Sequence, residues 1–189
     1  VFGKFQLLDI DAEARTQRIR VAEESDKFVH VFSNTFHHQF QEKDEILWLS
    51  ERSGYLHLYL IDGKTGETTR QLTDGKWLVR EVLGLDESSR RALIQVSGYH
   101  SGQDPYYLHY AFLNLDDGQL TLLTDADGTH EIEFSPDRTH YLARWSRVDH
   151  PPVFEIRRTS DGPKIATLNE PGLAPLVATG WQTPEKFVC

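Results

Sequence analysis

The chain has 189 residues with 29 acidic and 20 basic side chains, so its net charge is −9 when the histidines are neutral. This acidic balance gives no support for nucleic-acid binding, because an excess of Lys and Arg is needed to displace phosphate counterions. Hydrophobic residues make up 39% of the chain, too many for a disordered protein, and no apolar run approaches the roughly 20 residues of a membrane span.

The two ends of the chain say little about its location. It starts at Val1, contains no methionine and lacks the charged and apolar regions of a signal peptide, so we expect a piece of a longer polypeptide. The single cysteine is Cys189, which excludes an internal disulfide and a cysteine-based zinc site. Scarce cysteine suits a cytoplasmic and a periplasmic or secreted protein equally well, so the localisation stays unknown.

The first ambiguous segment is 11–25 (DAEARTQRIRVAEES). Its composition is that of a helix, with a capping Asp and many good helix formers. However, Ile10-Asp11 lies 51 residues (61 − 10) before Ile61-Asp62, a spacing at which other parts of the chain also repeat. We therefore predict a turn followed by an outer strand in this segment.

Strand-like alternation follows. Residues 46–50 (ILWLS) and 56–60 (LHLYL) alternate side chains with a period of two, as a strand with two different faces requires. Asp-Gly pairs separate such runs and adopt positive φ at low cost, so we predict that they close hairpins. They stand at 62–63, 74–75, 117–118, 127–128 and 161–162.

Three sets of short strings recur with one period. Leu72 of RQLTDG and Leu123 of LLTD are 51 residues apart (123 − 72), and Leu58-Tyr59 precedes His109-Tyr110 by 51 (109 − 58). Serines recur 47 and 49 residues apart (97 − 50 and 146 − 97), in WLS at 48–50, QVS at 95–97 and RWS at 144–146. Such a period is typical of a four-stranded propeller blade of about 40–50 residues.

These signals predict an all-β fold, a partial β-propeller of about three and a half four-stranded antiparallel blades. The predicted division is the end of one blade (1–25), three full blades (26–75, 76–127 and 128–171) and a tail (172–189) that leaves the repeats. The tail has little alternation, and we interpret it as a linker.

The histidines raise the possibility of a metal site. His37 and His38 are adjacent, so in a strand they point to opposite faces and cannot bind one ion together. The others are scattered and form neither a His-x-x-x-His nor a His-Glu-x-x-His pattern. We interpret them as polar residues on strand faces and predict no metal ion and no cofactor.

Two further motifs are incomplete. Residues 125–128 (DADG) begin like a calcium loop, but His130 stands where an EF-hand needs glycine. Residues 98–102 (GYHSG) approach a nucleophile elbow, but Ser101 directly precedes the second glycine instead of lying midway. We predict a hairpin loop there, and the residues give no persuasive catalytic centre.

As a set, three strings resemble the dipeptidyl-peptidase IV family. Residues 47–59 (LWLSERSGYLHLY) resemble its W-S-E-R-x-G-y-x-H-L-Y run, and residues 70–79 (RQLTDGKWLV) resemble its R-Q-L-T-x-G-x-W-x-V. Gly128-Thr129-His130 followed by FSPD at 134–137 is similar to its G-T-H-x-x-x-F-S-P-D-G blade opening. Arg138 replaces the family's glycine, and the resemblance covers about residues 5–170.

The resemblance implies a serine exopeptidase of the prolyl oligopeptidase type. Such enzymes join an eight-bladed N-terminal propeller to a C-terminal α/β-hydrolase domain and remove N-terminal dipeptides, usually with proline or alanine second. Our blades would belong to the later half of that propeller, with 172–189 leading to the hydrolase domain. The Ser-Asp-His triad would follow Cys189, and the paired glutamates and the arginine that bind substrate would precede Val1.

We therefore expect no catalytic, substrate-binding or metal-binding residues in this chain. Glu23-Glu24 is its only Glu-Glu pair, and we interpret it as a surface turn. The expected role is a wall or gate that restricts peptide access to a hydrolase site elsewhere in a parent dipeptidyl-peptidase, with the segment inactive alone. The alternative is a stand-alone propeller-like module that binds proteins or peptides. Because fewer than four blades cannot close an eight-bladed ring, exposed edges predict either self-association or an open arc.

Overall fold

The computed structural model describes residues 3–30 and 35–185. The chain forms two compact units, one of Val1–Gln95 with Leu113–Gln119 and one of Val96–Phe112 with Leu120–Cys189. The elements are β1 (Lys4–Asp11), β2 (Thr16–Glu24), β3 (His37–Phe40), β4 (Glu45–Ser50), β5 (His57–Asp62), β6 (Thr68–Gln71), β7 (Leu78–Asp86), β8 (Arg91–Ser97), β9 (Leu108–Asn114), β10 (Leu120–Leu122), β11 (Thr129–Phe134), β12 (His140–Arg147), β13 (His150–Arg158), β14 (Lys164–Asn169) and α1 (Ala174–Val177).

The strands form one two-stranded and three four-stranded sheets. The pair is β1-β2, and the larger sheets run β3-β4-β5-β6, β7-β8-β9-β10 and β11-β12-β13-β14. Strands that follow one another within a sheet are neighbours in it, as in an antiparallel meander. The antiparallel register is seen within the β1-β2 pair, within β3–β6 and within β11–β14. The predicted all-β class with four-stranded sheets is confirmed.

The ambiguous segment forms a strand, as the repeat predicted. β2 pairs with β1 from Asp11↔Thr16 to Lys4↔Glu24, with one irregularity after Leu7. Val21 of β2 is buried with Ile46, Trp48 and Ile61. Continuous pairing and this apolar contact outweigh the helix propensity of the segment, which is worth only tenths of a kcal/mol per residue. The described part of the tail, 172–185, in contrast, contains a single four-residue helix, α1.

Both faces of the central strands of the first four-stranded sheet are buried. In β4 every residue from Ile46 to Ser50 is buried, and in β5 the same holds from His57 to Ile61. Alternation in the sequence therefore separates two buried faces here instead of a core face and a solvent face, as in stacked sheets.

The Asp-Gly pairs take two different roles. Gly118 and Gly162 lie in the hairpins β9–β10 and β13–β14 with φ of 79° and 83°, as predicted. The prediction is wrong for 74–75 and 127–128, which lie in the connections β6–β7 and β10–β11. In the β5–β6 hairpin, Gly66 and not Gly63 has the positive φ, at 76°. Asp62 instead binds the backbone N–H groups of residues 64 and 65.

In each four-stranded sheet, the hairpin between the third and fourth strands contains a glycine that packs against the backbone of an earlier segment. A Cβ atom on these glycines would lie 2.5–2.7 Å from a backbone carbonyl oxygen. Real Cβ atoms do not approach backbone so closely, so only glycine fits. The pairs are Gly66 with Arg20, Gly118 with Leu72, and Gly162 with Leu122. This recurring contact places each hairpin directly on the backbone at or just after an earlier strand.

The hairpins between the first and second strands also share a conformation. Asp44, Arg90 and Arg138 have φ of 48°, 47° and 54°, the left-handed region that non-glycine residues occupy at a cost. Arg138 thus has the conformation that suits the glycine of the related motif. Its neighbour Asp137 accepts hydrogen bonds from Ser135 and Thr139, which lower the carboxyl pKa to about 2.

Candidate functional site

A cleft of about 210 Å³ opens in the first unit beside the end of β2. The β1–β2 pair forms one side, and β4 with the start of the β4–β5 loop forms the other. Its walls combine aromatic rings with carboxylates, namely Phe5, Phe28, Phe36 and Trp48 with Glu23, Glu24 and Glu51. The rings of Phe5 and Trp48 stack with centroids 5.7 Å apart.

Glu23 joins the two sides of this cleft. The indole Nε1 of Trp48 donates a 2.6 Å hydrogen bond to Glu23 Oε1, and Nη2 of Arg52 donates to the same oxygen. The Glu23 side chain is only 13% exposed. Arg52 also donates to Thr68 and Ser50, and its guanidinium lies 4.9 Å above the Tyr59 ring.

The interpretation of Glu23-Glu24 as a surface turn is wrong. Both residues are the last two of strand β2, and successive side chains of a strand point to opposite faces. Glu23 points to the same face as the buried Val21, whereas Glu24 is 65% exposed and pairs with Lys4 at 2.5 Å. Strand alternation counted from Val21 would have given this distinction from the sequence.

The polar side chains of the cleft are held in place by hydrogen bonds within the protein. All three guanidinium nitrogens of Arg52 have acceptors within the protein. Ser50 Oγ accepts hydrogen bonds from the backbone N–H and from Nε of Arg52. This hydroxyl is therefore held by an arginine, which cannot act as the base that would activate it. These contacts orient the cleft walls and do not assemble a nucleophile with a base.

Three histidines lie on strands, as predicted for this residue type, but on buried faces. His57, His109 and His130 are each 1% exposed. Burial lowers the pKa of His57, and it lowers the pKa of His109 to about 4 and that of His130 to about 3. These rings are therefore neutral at pH 7.

His57 and His109 occupy one position of the repeat. The backbone N–H groups of Leu58 and Tyr110 donate to Thr73 and Thr124 in the same manner. The structural spacing is thus 52 residues (110 − 58), one more than the predicted pairing of Leu58-Tyr59 with His109-Tyr110. Each ring meets an aromatic partner edge-on or tilted, Trp77 at 5.0 Å and His130 at 4.8 Å.

The other candidate groups are engaged separately. His37 lies 6.0 Å from the Trp48 ring, whereas His38 Nε2 lies 2.8 Å from Glu87 Oε1, so the pair points apart as predicted. Asp125, the first residue of the calcium-like stretch, receives Arg157 at 2.9 Å. Ser101 lies in the β8–β9 loop, as predicted.

Residues 3–30 and 35–185 contain neither a metal-binding cluster nor a membrane-spanning helix. No three His, Cys, Asp or Glu side chains in residues 3–30 and 35–185 are arranged to hold a metal ion. Cys189 lies outside those residues. No helix in the same ranges has the length and hydrophobicity needed to cross a bilayer.

Known proteins match this arrangement. The sequence model of the dipeptidyl peptidase IV (DPP IV) N-terminal region matches residues 3–152. The structure of Porphyromonas gingivalis dipeptidyl peptidase 4 is similar with a TM-score of 0.65 at 20% identity, over 89% of this chain and 23% of that one.

A protein assigned as a dipeptidyl aminopeptidase IV from Bacteroides ovatus gives a TM-score of 0.66 at 20% identity, over 89% of this chain and 26% of that one. The chain thus spans about a quarter of the length of these structures. The likeness confirms the predicted partial β-propeller fold. The match over residues 3–152 goes further, and the chain belongs to the dipeptidyl peptidase IV N-terminal region family.

Proposed function

We propose that this chain is a non-catalytic part of the propeller wall of a dipeptidyl-peptidase IV-like serine exopeptidase. The family match over residues 3–152 carries the proposal. In this view the wall limits which peptides reach a hydrolase site outside the segment. The parent would act on peptide substrates, and residues 172–189 would lead towards a C-terminal α/β-hydrolase domain. We further propose that 26–75, 76–127 and 128–171 are three blades, with 1–25 the end of another.

The packing supports a rigid wall. A gate that excludes folded proteins must keep its sheets from moving apart. Two contacts in the first unit oppose such a movement. Gly118 places a hairpin against the Leu72 carbonyl, and Glu23 ties β2 to Trp48 and Arg52. Acyl transfer itself needs a nucleophile, a base and oxyanion donors, which the parent would supply from outside this chain.

Activity of the isolated segment is the first test. Purified chain should not hydrolyse a Gly-Pro chromogenic substrate, whereas the intact parent protein should. Clear turnover by the pure chain would contradict the non-catalytic role. An inactive parent would remove the peptidase assignment.

Size selection tests the wall directly. In the intact parent, Gly118→Val should increase cleavage of a folded protein with an N-terminal Gly-Pro, relative to a Gly-Pro tripeptide. Gly54→Val is the matched control, because Gly54 also has a positive φ but has no atom within 4 Å of a Cβ position. Unchanged size selection in a folded Gly118→Val parent would oppose the wall.

The aromatic cleft beside Glu23 favours a second candidate, a stand-alone module that binds a protein or peptide. The size of the native protein separates the two. The coverage of 23% and 26% leads us to expect a band at about four times 21.8 kDa in a source lysate probed with an antibody against this segment. A band near 21.8 kDa would favour the binding module.

A further inference from the structure

The loop between β8 and β9, residues 98–107, is anchored on one buried ring of the second unit. Gln103 Oε1 lies 2.8 Å from His109 Nε2, and Gln103 Nε2 donates to the Asp125 carbonyl at 3.3 Å. The His100 ring lies 4.6 Å from the His109 ring. Two side chains of the loop therefore depend on His109 for their positions.

A second buried histidine supports the first. The centroid of the His130 ring, on β11, lies 4.8 Å from that of His109. His130 Nδ1 lies 3.3 Å from the carbonyl oxygen of Leu108, the residue before His109. Each of the two histidines is 1% exposed, so water does not solvate a charge on either ring.

The hydrogen bonds fix the proton on each ring. The Gln103 amide nitrogen donates to Asp125, so its oxygen accepts and the proton of His109 is on Nε2. A carbonyl can only accept, so the proton of His130 is on Nδ1. The opposite nitrogens, His109 Nδ1 and His130 Nε2, are buried without a hydrogen-bond partner. A second proton on His130 would therefore place a buried charge on a nitrogen without an acceptor, whereas on His109 the Thr124 backbone offsets part of this cost.

The surrounding charges act in both directions on the two rings. Asp125, in the β10–β11 connection, favours the charged form of both rings, and Asp127 of the same connection and the Thr124 backbone favour that of His109. His100 of the loop opposes charging of His109, and Arg157 of β13 opposes charging of His130. Two further rings complete the contacts, Trp145 of β12 beside His130 and His150 of β13 on Trp145. Burial is the largest influence and keeps the pKa of both histidines low.

We propose that His109 and His130 form an acid-sensitive latch, which holds loop 98–107 at neutral pH and releases it when either ring takes up a second proton. Gly98 and Gly102, at the start and in the middle of the loop, have φ of 74° and 94°, and glycine changes its backbone conformation with less steric restriction than other residues. At its far end Tyr106 is 86% exposed, so release would alter the surface that the loop presents.

The repeat provides an internal contrast. At the equivalent position of the first unit, His57 Nε2 donates to the Gly75 carbonyl at 3.1 Å. Its Nδ1 lies 2.9 Å from Thr73 Oγ1, and that hydroxyl can donate because the oxygen already accepts from Leu58 N–H. Both nitrogens of His57 are thus satisfied, and the latch is confined to the second unit.

A fluorescent label on Tyr106→Cys, in a Cys189→Ser background, reports release as a loss of fluorescence anisotropy. As the pH falls below about 6.5, the ratio of released to held loop should rise by up to about tenfold per pH unit for each ring. His109→Gln combined with His130→Asn keeps the two outward hydrogen bonds but removes the second protonation site. This variant should show no anisotropy change between pH 7 and pH 4.5, whereas His57→Gln should behave like the unmodified chain.

Two outcomes would overturn the latch. One is a constant anisotropy of the unmodified chain down to pH 4, and the other is an unchanged transition in the double variant. If the double variant does not fold, the histidine proton resonances of the unmodified chain decide. Protonation of His109 or His130 must then have the same midpoint as loop release, and a release that precedes both contradicts the proposal.

Discussion

The indole Nε1 of Trp48 donates a 2.6 Å hydrogen bond to the carboxylate of Glu23, which links strand β2 to the first four-stranded sheet. Arg52 donates to the same oxygen. The twelve residues between β2 and β3 (37 − 24 − 1 = 12) could have left these elements loosely associated. Instead, one carboxylate satisfies a buried indole and a guanidinium together.

Glu23→Ala should therefore destabilise the chain by about 1–3 kcal/mol, because it leaves the Trp48 N–H and the Arg52 charge without their acceptor. Urea unfolding at pH 7 measures the loss. The adjacent Glu24→Ala is the matched control and should cost about 0–1 kcal/mol, since Glu24 and Lys4 form an exposed pair. Equal losses in the two variants would show that Glu23 does not link the elements.

Much of the fold was predictable because a repeated sequence pattern indicates the structure of a segment even where its own composition is ambiguous. Segment 11–25 has helix formers, yet its distance from Ile61-Asp62 predicted the observed strand. Gly118 and Gly162 were predictable as hairpin glycines because Asp-Gly tolerates positive φ. The roles of 74–75 and 127–128 were not, since a tight turn within a sheet and one between sheets need the same residues.

The buried histidines could not be predicted for a more specific reason. The sequence repeat aligns Leu58 with His109, whereas the hydrogen bonds align His57 with His109. A shift of one residue in a strand moves every side chain to the opposite face. The repeat in the sequence therefore does not place the two equivalent histidines, His57 and His109, at the same position. The burial of Glu23 is hard to recognise in the sequence because its identical neighbour, Glu24, is exposed.

Tyr141 should make the second unit sensitive to alkali. Its hydroxyl donates to the Leu123 carbonyl, and burial raises its pKa from 10.0 to about 12. The unfolded chain therefore releases this proton first, so the contribution of Tyr141 to stability is constant below pH 10 and is lost between pH 10 and 12. The loss should total about 2–3 kcal/mol.

Urea unfolding from pH 8 to 12 measures this loss, and tyrosinate absorbance follows the ionisation. Tyr141→Phe should be less stable at pH 8, by about 1 kcal/mol for the lost hydrogen bond. Its stability should nevertheless fall less steeply above pH 10 than that of the unmodified chain. Parallel curves for the two proteins would mean that Tyr141 ionises alike in the folded and unfolded states.

Gly118 should be less tolerant of a side chain than another glycine of similar conformation. Gly118 and Gly54 have φ of 79° and 93°, but only at Gly118 would a Cβ meet backbone, 2.7 Å from the Leu72 oxygen. Each alanine variant should lose about 1–2 kcal/mol for the left-handed conformation. Gly118→Ala should lose about 1–3 kcal/mol more because of the steric conflict, which thermal unfolding of both variants can measure.

Self-association should involve the β1–β2 pair. Among the described residues, β1 has β2 as its only sheet neighbour, so its other edge carries backbone groups that another strand can pair with. Leu8 lies opposite Ile19, and these side chains with Ile10 are 42%, 52% and 69% exposed. We expect light scattering to give a mass that rises with concentration for the isolated chain.

Replacing Ile10 and Ile19 together with lysine should shift the isolated chain towards monomer, because two like charges would oppose each other across the contact. Leu176→Lys is the control for added charge alone, since Leu176 is 43% exposed but lies in α1. The control should associate like the unmodified chain. A monomeric mass for the unmodified chain at every concentration would argue against pairing, and equal effects of both changes would place the contact elsewhere.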